Sequence, residues 1–116
     1  MEQFRPQARK GPEAKIQKAI IEMLQSRGWF VKATHGNKHQ WGFPDLWASH
    51  KQYGHRWVEV KNGDGSYSFT PAQLDAFPLF GQNGSGVWIL KAATLEEYNK
   101  LFKPPNWLTY LLIKGG

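Results

Sequence analysis

The spacing of apolar positions changes along the chain, and each change marks a new element. Between residues 12 and 27, Ile16, Ala19, Ile20, Met23 and Leu24 recur at helical spacing, the stripe of a helix that buries one face. Pro12 suits its first position, and Gly28 suits the left-handed position just past its end. Trp29 to Thr34 then reads as a strand, and His35 to Trp41 (HGNKHQW) as a polar loop. Leu46 to His50 and His55 to Lys61 are two strand-like runs either side of Lys51-Gln52-Tyr53-Gly54, which predicts a hairpin. Asn62 to Ser68 is a Gly-rich loop. Thr70, Pro71 and Gln73 stand as N-cap, first helical residue and capping-box partner of a second helix running to about Phe80. Gly81 to Gly86 is a loop, and Val87 to Lys91 a buried strand. Thr94-x-x-Glu97 opens a further helix to about Phe102, which Lys103-Pro104-Pro105 stops. Trp107 to Ile113 is a short apolar tail, either an edge strand or a surface that packs on a partner.

The order is helix, strand, hairpin, helix, strand, helix, apolar tail. It predicts an α/β fold with a mixed central sheet flanked by helices. Residues 1–11 read as a basic arm, 12–102 as a single domain, and 103–116 as a C-terminal tail. No internal repeat is present.

Composition narrows the class. The 116 residues contain no cysteine, which excludes a disulfide scaffold and thiolate zinc sites. No apolar run approaches the roughly 18 residues of a membrane span, and the N-terminal MEQFRPQARKGPEAK lacks a signal peptide's apolar core. The expectation is a soluble protein of the cytoplasm. Fifteen Lys and Arg against nine Asp and Glu give a net charge of +6, a balance that favours a polyanion such as nucleic acid. Arg5, Arg9 and Lys10 in the arm read equally as a solvated tail or as phosphate contacts. Lys15, with His35, Asn37, Lys38 and His39 of the polar loop, completes the candidate DNA-contacting set. The four histidines (His35, His39, His50, His55) match no standard zinc spacing.

The stretch from Gly42 to Lys61 carries the chemistry. Side chains alternate along a strand, so Trp57, Glu59 and Lys61 share one face, and Val58 and Val60 take the other. A three-residue turn at 51–53 sets Asp45 directly across from Glu59. A four-residue turn shifts the register by one and demands a bulge near Pro44. Either way two carboxylates and a lysine gather at one end of a hairpin. Hydrolysis of a phosphodiester requires an activated water and neutralised phosphate oxygens, which Mg²⁺ or Mn²⁺ held by carboxylates provides. Asp45 and Glu59 suffice as protein carboxylates for such an ion, with the Val60 carbonyl as a third ligand. Lys61 can orient the water and stabilise developing negative charge. The bland alternative is a surface ion pair between Glu59 and Lys61. Glu13 sits on the core-facing stripe of the first helix, and either the helix dipole or a site role explains it. The cap alone explains Gln73.

Pro44-Asp45 followed by Glu59-Val60-Lys61 resembles the signature of the PD-(D/E)XK nuclease superfamily. With Glu13, Gly28-Trp29, Gly42-Phe43-Pro44-Asp45 and Thr70-Pro71-Ala72-Gln73 in order, residues 12–92 are similar to its VRR-NUC branch, the virus-type replication-repair nucleases that are akin to Holliday-junction resolvases. The resemblance implies a restriction-endonuclease-like αβββαβ core. It makes Asp45 and Glu59 metal ligands, Lys61 a catalytic lysine, Glu13 an acid near the metal, and Gln73 a residue facing the site. It implies a divalent-metal-dependent, structure-selective DNA endonuclease, with four-way junctions as one substrate. Small members of this kind come from phages and act as homodimers on branched DNA, for which the tail offers a contact. A less selective nicking or flap nuclease and a catalytically silent DNA-binding module of the same fold are the competing readings.

Overall fold

The computed structural model describes residues 12–34, 42–64 and 68–114, with side chains described as far as 110. The arm residues Arg5, Arg9 and Lys10 and the loop residues His35, Asn37, Lys38 and His39 lie outside that set.

Helix α1 spans Pro12–Ser26 and buries Gln17, Ile20 and Leu24. It ends as the sequence predicts. Gly28 adopts φ +90°, with its N–H donating to Gln25 and the Trp29 N–H to Leu24. That is a Schellman closure, and it turns the chain directly into β1, Phe30–Ala33. Strand β2 (Leu46–His50) and β3 (Gly54–Val60) form the hairpin, and β4 is Val87–Leu90. The four strands lie in the order β1-β2-β3-β4. The first two pairings are antiparallel and β3–β4 is parallel. A parallel pair needs a crossover, which α2 (Pro71–Gln82) supplies.

Two apolar layers follow from strand alternation. Val58 and Val60 join Leu46, Ala48 and Leu90 against Ile20 and Leu24 of α1. Tyr98 and Leu101 complete that layer from α3 (Leu95–Asn99) and the 3-10 turn after it, Lys100–Phe102. On the opposite face Phe77 and Val87 pack with Trp57, Phe69, Leu74, Phe80 and Trp107. The architecture is therefore a mixed sheet between helical layers.

Three expectations need correction. The tail is not an edge strand, because Trp107–Lys114 forms helix α4. At the outer edge of β4 the Ile89 backbone groups are taken up by a side chain. Asn106 Oδ1 accepts from the Ile89 N–H at 2.6 Å and its Nδ2 donates to the Ile89 carbonyl at 3.1 Å. The second capping box is only half formed. Thr94 accepts from the Glu97 N–H, but the Glu97 carboxylate reaches Lys91 N at 2.8 Å and Lys100 Nζ at 2.7 Å instead of closing the box. Helix α2 also runs past Pro78 to Gln82, beyond the expected end at Phe80.

Candidate active site

The hairpin decides the geometry. His50 pairs with Gly54 and Leu46 with Val58, so residues 51–53 form the turn and the three-residue register holds. That register sets Asp45 across from Glu59, without a compensating bulge. The two carboxylates interlock through each other's backbone. Asp45 N–H donates to Glu59 Oε1 at 3.0 Å, and Val60 N–H donates to Asp45 Oδ2 at 2.8 Å. Asp45 thus ends the strand by replacing a ladder acceptor with its own side chain.

The same register puts Pro44 opposite Val60. Proline has no N–H, so Pro44 cannot give the Val60 carbonyl a ladder bond. Thr34 holds this corner from β1. Its N–H donates to the Asp45 carbonyl at 2.9 Å, and its hydroxyl contacts the carbonyls of Pro44 and Asp45 at 2.5 and 3.1 Å. Gly42, two residues earlier, adopts φ +76° and lies so close to α2 that a Cβ there would stand 2.4 Å from the Ala72 carbonyl oxygen.

Lys61 and Gln73 close the cluster. Lys61 Nζ lies 2.9 Å from Glu59 Oε2, donates to the Ser68 carbonyl and sits 4.4 Å above the Phe69 ring. Gln73 does two things at once. Its Oε1 accepts from the Thr70 N–H at 3.1 Å, completing the box that opens α2. Its Nε2 donates to Glu59 Oε2 at 3.2 Å. The cap and the site role are the same side chain seen from its two ends. All four residues are buried: Asp45 and Lys61 are 3% exposed, Glu59 and Gln73 0%. The bland surface ion pair is therefore excluded.

Glu13 lies in the first turn of α1, partly buried. Among the described residues no three His, Asp or Glu side chains come together around one ion position. Lys15 is exposed on α1. His50 has a structural role. Its Nδ1 accepts from Gln52 N–H at 3.0 Å, which leaves Nε2 to donate to the Arg27 carbonyl at 3.2 Å. Sequence reasoning missed Thr34.

The donor set suits a small divalent cation. Asp45, Glu59 and the Val60 carbonyl are hard oxygen donors, and Mg²⁺ takes one or two carboxylates and keeps several waters. Among the described residues no helix is long and apolar enough to cross a membrane.

No protein-family model matches the chain, and no curated protein matches it. Among solved structures it is similar to a chain described as a VRR_NUC domain, with 25% identity and a TM-score of 0.62, over 78% of this chain and 94% of that one. This likeness supports a place for the chain in the VRR-NUC family and its nuclease superfamily, in line with the order of motifs read from the sequence, and with it a nuclease-type function.

Proposed function

We propose that the protein is a Mg²⁺- or Mn²⁺-dependent endodeoxyribonuclease that cuts branched DNA, four-way junctions included, as a homodimer. The observation that carries this reading is the convergence of Asp45, Glu59, Lys61 and Gln73 in one buried cluster. Asp45, Glu59 and the Val60 carbonyl would hold the ion, with Glu13 as the helix-one acid near it. When bound, a divalent ion would supply charge neutralisation at the scissile phosphate and lower the pKa of a nearby water.

The chain's own residues supply the rest. Lys61 Nζ is held beside the carboxylates by Glu59 and the Ser68 carbonyl. It offers an N–H to a phosphate oxygen as negative charge builds up there. Gln73 fixes the plane of the Glu59 carboxylate, and Thr34 fixes the Pro44–Asp45 peptide, so neither acid has to be ordered when substrate arrives. The net charge of +6 favours the encounter with DNA. A two-fold dimer would present two such sites to opposed strands of a junction.

The test is cleavage of labelled four-way-junction, flap and blunt duplex DNA with Mg²⁺ or Mn²⁺. Wild type is compared with Asp45→Asn and Lys61→Ala, each checked for folding by circular dichroism. Paired symmetric junction cuts, lost in both variants, are expected. Flap or duplex cutting with the same sensitivity keeps the nuclease and discards junction resolution. Junction binding with no metal-dependent cutting of any substrate favours the silent DNA-binding module instead.

A further inference from the structure

The sheet face that carries the acids does not end with them. Register and alternation continue it in rows across the three antiparallel strands. Asp45 and Glu59 make the first row. Lys32, Trp47 and Trp57 make the second, and Phe30, Ser49 and His55 the third. Residues two apart along a strand are separated by about 7 Å, so the third row lies roughly 14 Å from the acids. The opposite face of the same strands holds Val31, Ala33, Leu46, Ala48 and Val58 in the α1 core.

Helix α2 covers only part of this face. Its Phe77 and Phe80 pack with Trp57 and Val87, over the β3–β4 side. Beyond Trp57 the face opens. Trp47 is half-buried, with its ring 5.1 Å from Trp57 and stacked on His55 at 4.7 Å. Lys32 and His55 are exposed, and Phe30 is 60% exposed. Of the exposed large hydrophobic side chains, Phe30 lies on the face that leads to the acids, with Lys32 two residues along the same strand.

We propose that this open face is a stacking platform for unpaired nucleotides, and that it selects DNA with single-stranded character beside the cut. The proposal deepens the nuclease reading and rests on it. A strand whose phosphate reaches Asp45 and Glu59 must run along or beside these rows. Duplex DNA presents mainly phosphates to such a surface, because its base faces are already stacked. An unpaired base offers a free π-face, for which an exposed aromatic ring is the natural partner. Phe30 and the Trp47–His55 stack supply the rings, and Lys32 between them supplies charge for the backbone.

Binding is measured by fluorescence anisotropy in the Asp45→Asn background, with a labelled single strand, a flapped duplex and a blunt duplex of matching sequence. Phe30→Ala is expected to lower the ratio of single-strand to duplex affinity roughly five- to hundred-fold. Phe30→Tyr, which keeps a ring, is expected to restore it. Lys32→Ala is expected to flatten the salt dependence on single strands by about 0.7 in slope. An unchanged ratio in Phe30→Ala, or an equal loss on all three probes with no recovery in Phe30→Tyr, overturns the platform. Should wild type cut DNA while that ratio stays unchanged, only the platform fails. Should the parent bind none of the probes and wild type cut nothing, the nuclease reading falls with it.

Discussion

Replacing Lys61 by methionine removes an ammonium and keeps most of its aliphatic stem. Lys61 is 3% exposed, Glu59 0%, and their charged atoms lie 2.9 Å apart. Removing one partner of a buried pair costs about 3–5 kcal/mol, because the remaining charge stays desolvated with less to compensate it. Losing the bond to the Ser68 carbonyl adds about 1 kcal/mol. A domain of this size has a total stability of roughly 5–15 kcal/mol, so Lys61→Met should fold but with a much reduced margin. In urea unfolding with a slope of about 1.5–2 kcal/mol per molar, the midpoint should fall by roughly 2–4 M.

The control is Glu59→Gln with Lys61→Met. The double variant has neither charge, and its stability should return to within about 1 kcal/mol of wild type, since apolar or neutral replacement of a buried pair is often nearly neutral. If Lys61→Met unfolds within about 1 kcal/mol of wild type, the pair is solvated and the burial argument for the site is wrong. If the double variant is as unstable as the single one, the loss comes from the lysine stem and its Ser68 bond, not from the ion pair.

Gly42→Ala should destabilise by about 2–5 kcal/mol, from left-handed strain plus displacement of the Ala72 backbone. Gly84→Ala, at φ +84° with nothing within 4 Å of the added Cβ, should cost only about 1–2 kcal/mol, and equal thermal shifts in the two variants would remove the crowding argument. Gln73→Glu keeps the acceptor for Thr70 N–H but sets a carboxylate about as close to Glu59 as the amide it replaces, at 3.2 Å. Its stability should drop by about 2–4 kcal/mol at neutral pH and recover in acid as one of the two acids takes a proton, which urea curves at both pH values would show. Thr34→Val keeps the shape and loses the hydroxyl contacts to Pro44 and Asp45, so it should cost about 1 kcal/mol in stability. Its cleavage rate should fall at least about tenfold with KM little changed, and an unchanged rate would deny Thr34 a positioning role.

The parts of the fold that were legible in the sequence are those decided locally. The Gly28 closure and the Thr70–Gln73 box depend on a few adjacent residues. The facing of Asp45 and Glu59 needed only strand alternation and a turn length, of which the three-residue version is the one found. Long-range competition decided the rest. WLTYLLI has no clear period, so sequence alone cannot separate helix from strand there. It becomes helical beside a β4 edge whose Ile89 groups are already bonded to Asn106. Glu97 looked like a box partner because its spacing was right, yet a backbone N–H at Lys91 claims it. Thr34 was invisible as a positioning residue because nothing local marks a strand-end threonine as different from any other.

Gln73 shows why the cluster is better explained by chemistry than by folding. A helix cap needs only the Oε1 bond to Thr70, and a glutamate would serve equally well there. The amide end is what the cap does not require, and it is spent on Glu59 Oε2, the oxygen already paired with Lys61. A buried acid held by a lysine, an amide and a backbone N–H is an expensive way to fill space, because an apolar group of similar volume would be as stable or more so. A fold-only account of β3 therefore predicts Val or Leu at position 59, as at its neighbours Val58 and Val60. A module that only held DNA would place its charges outside, where phosphates are, and Glu59 is fully buried and negative. Held rigidly and turned toward Asp45, it suits a group that must meet a cation in a fixed geometry. That requirement is the one the proposed hydrolysis makes.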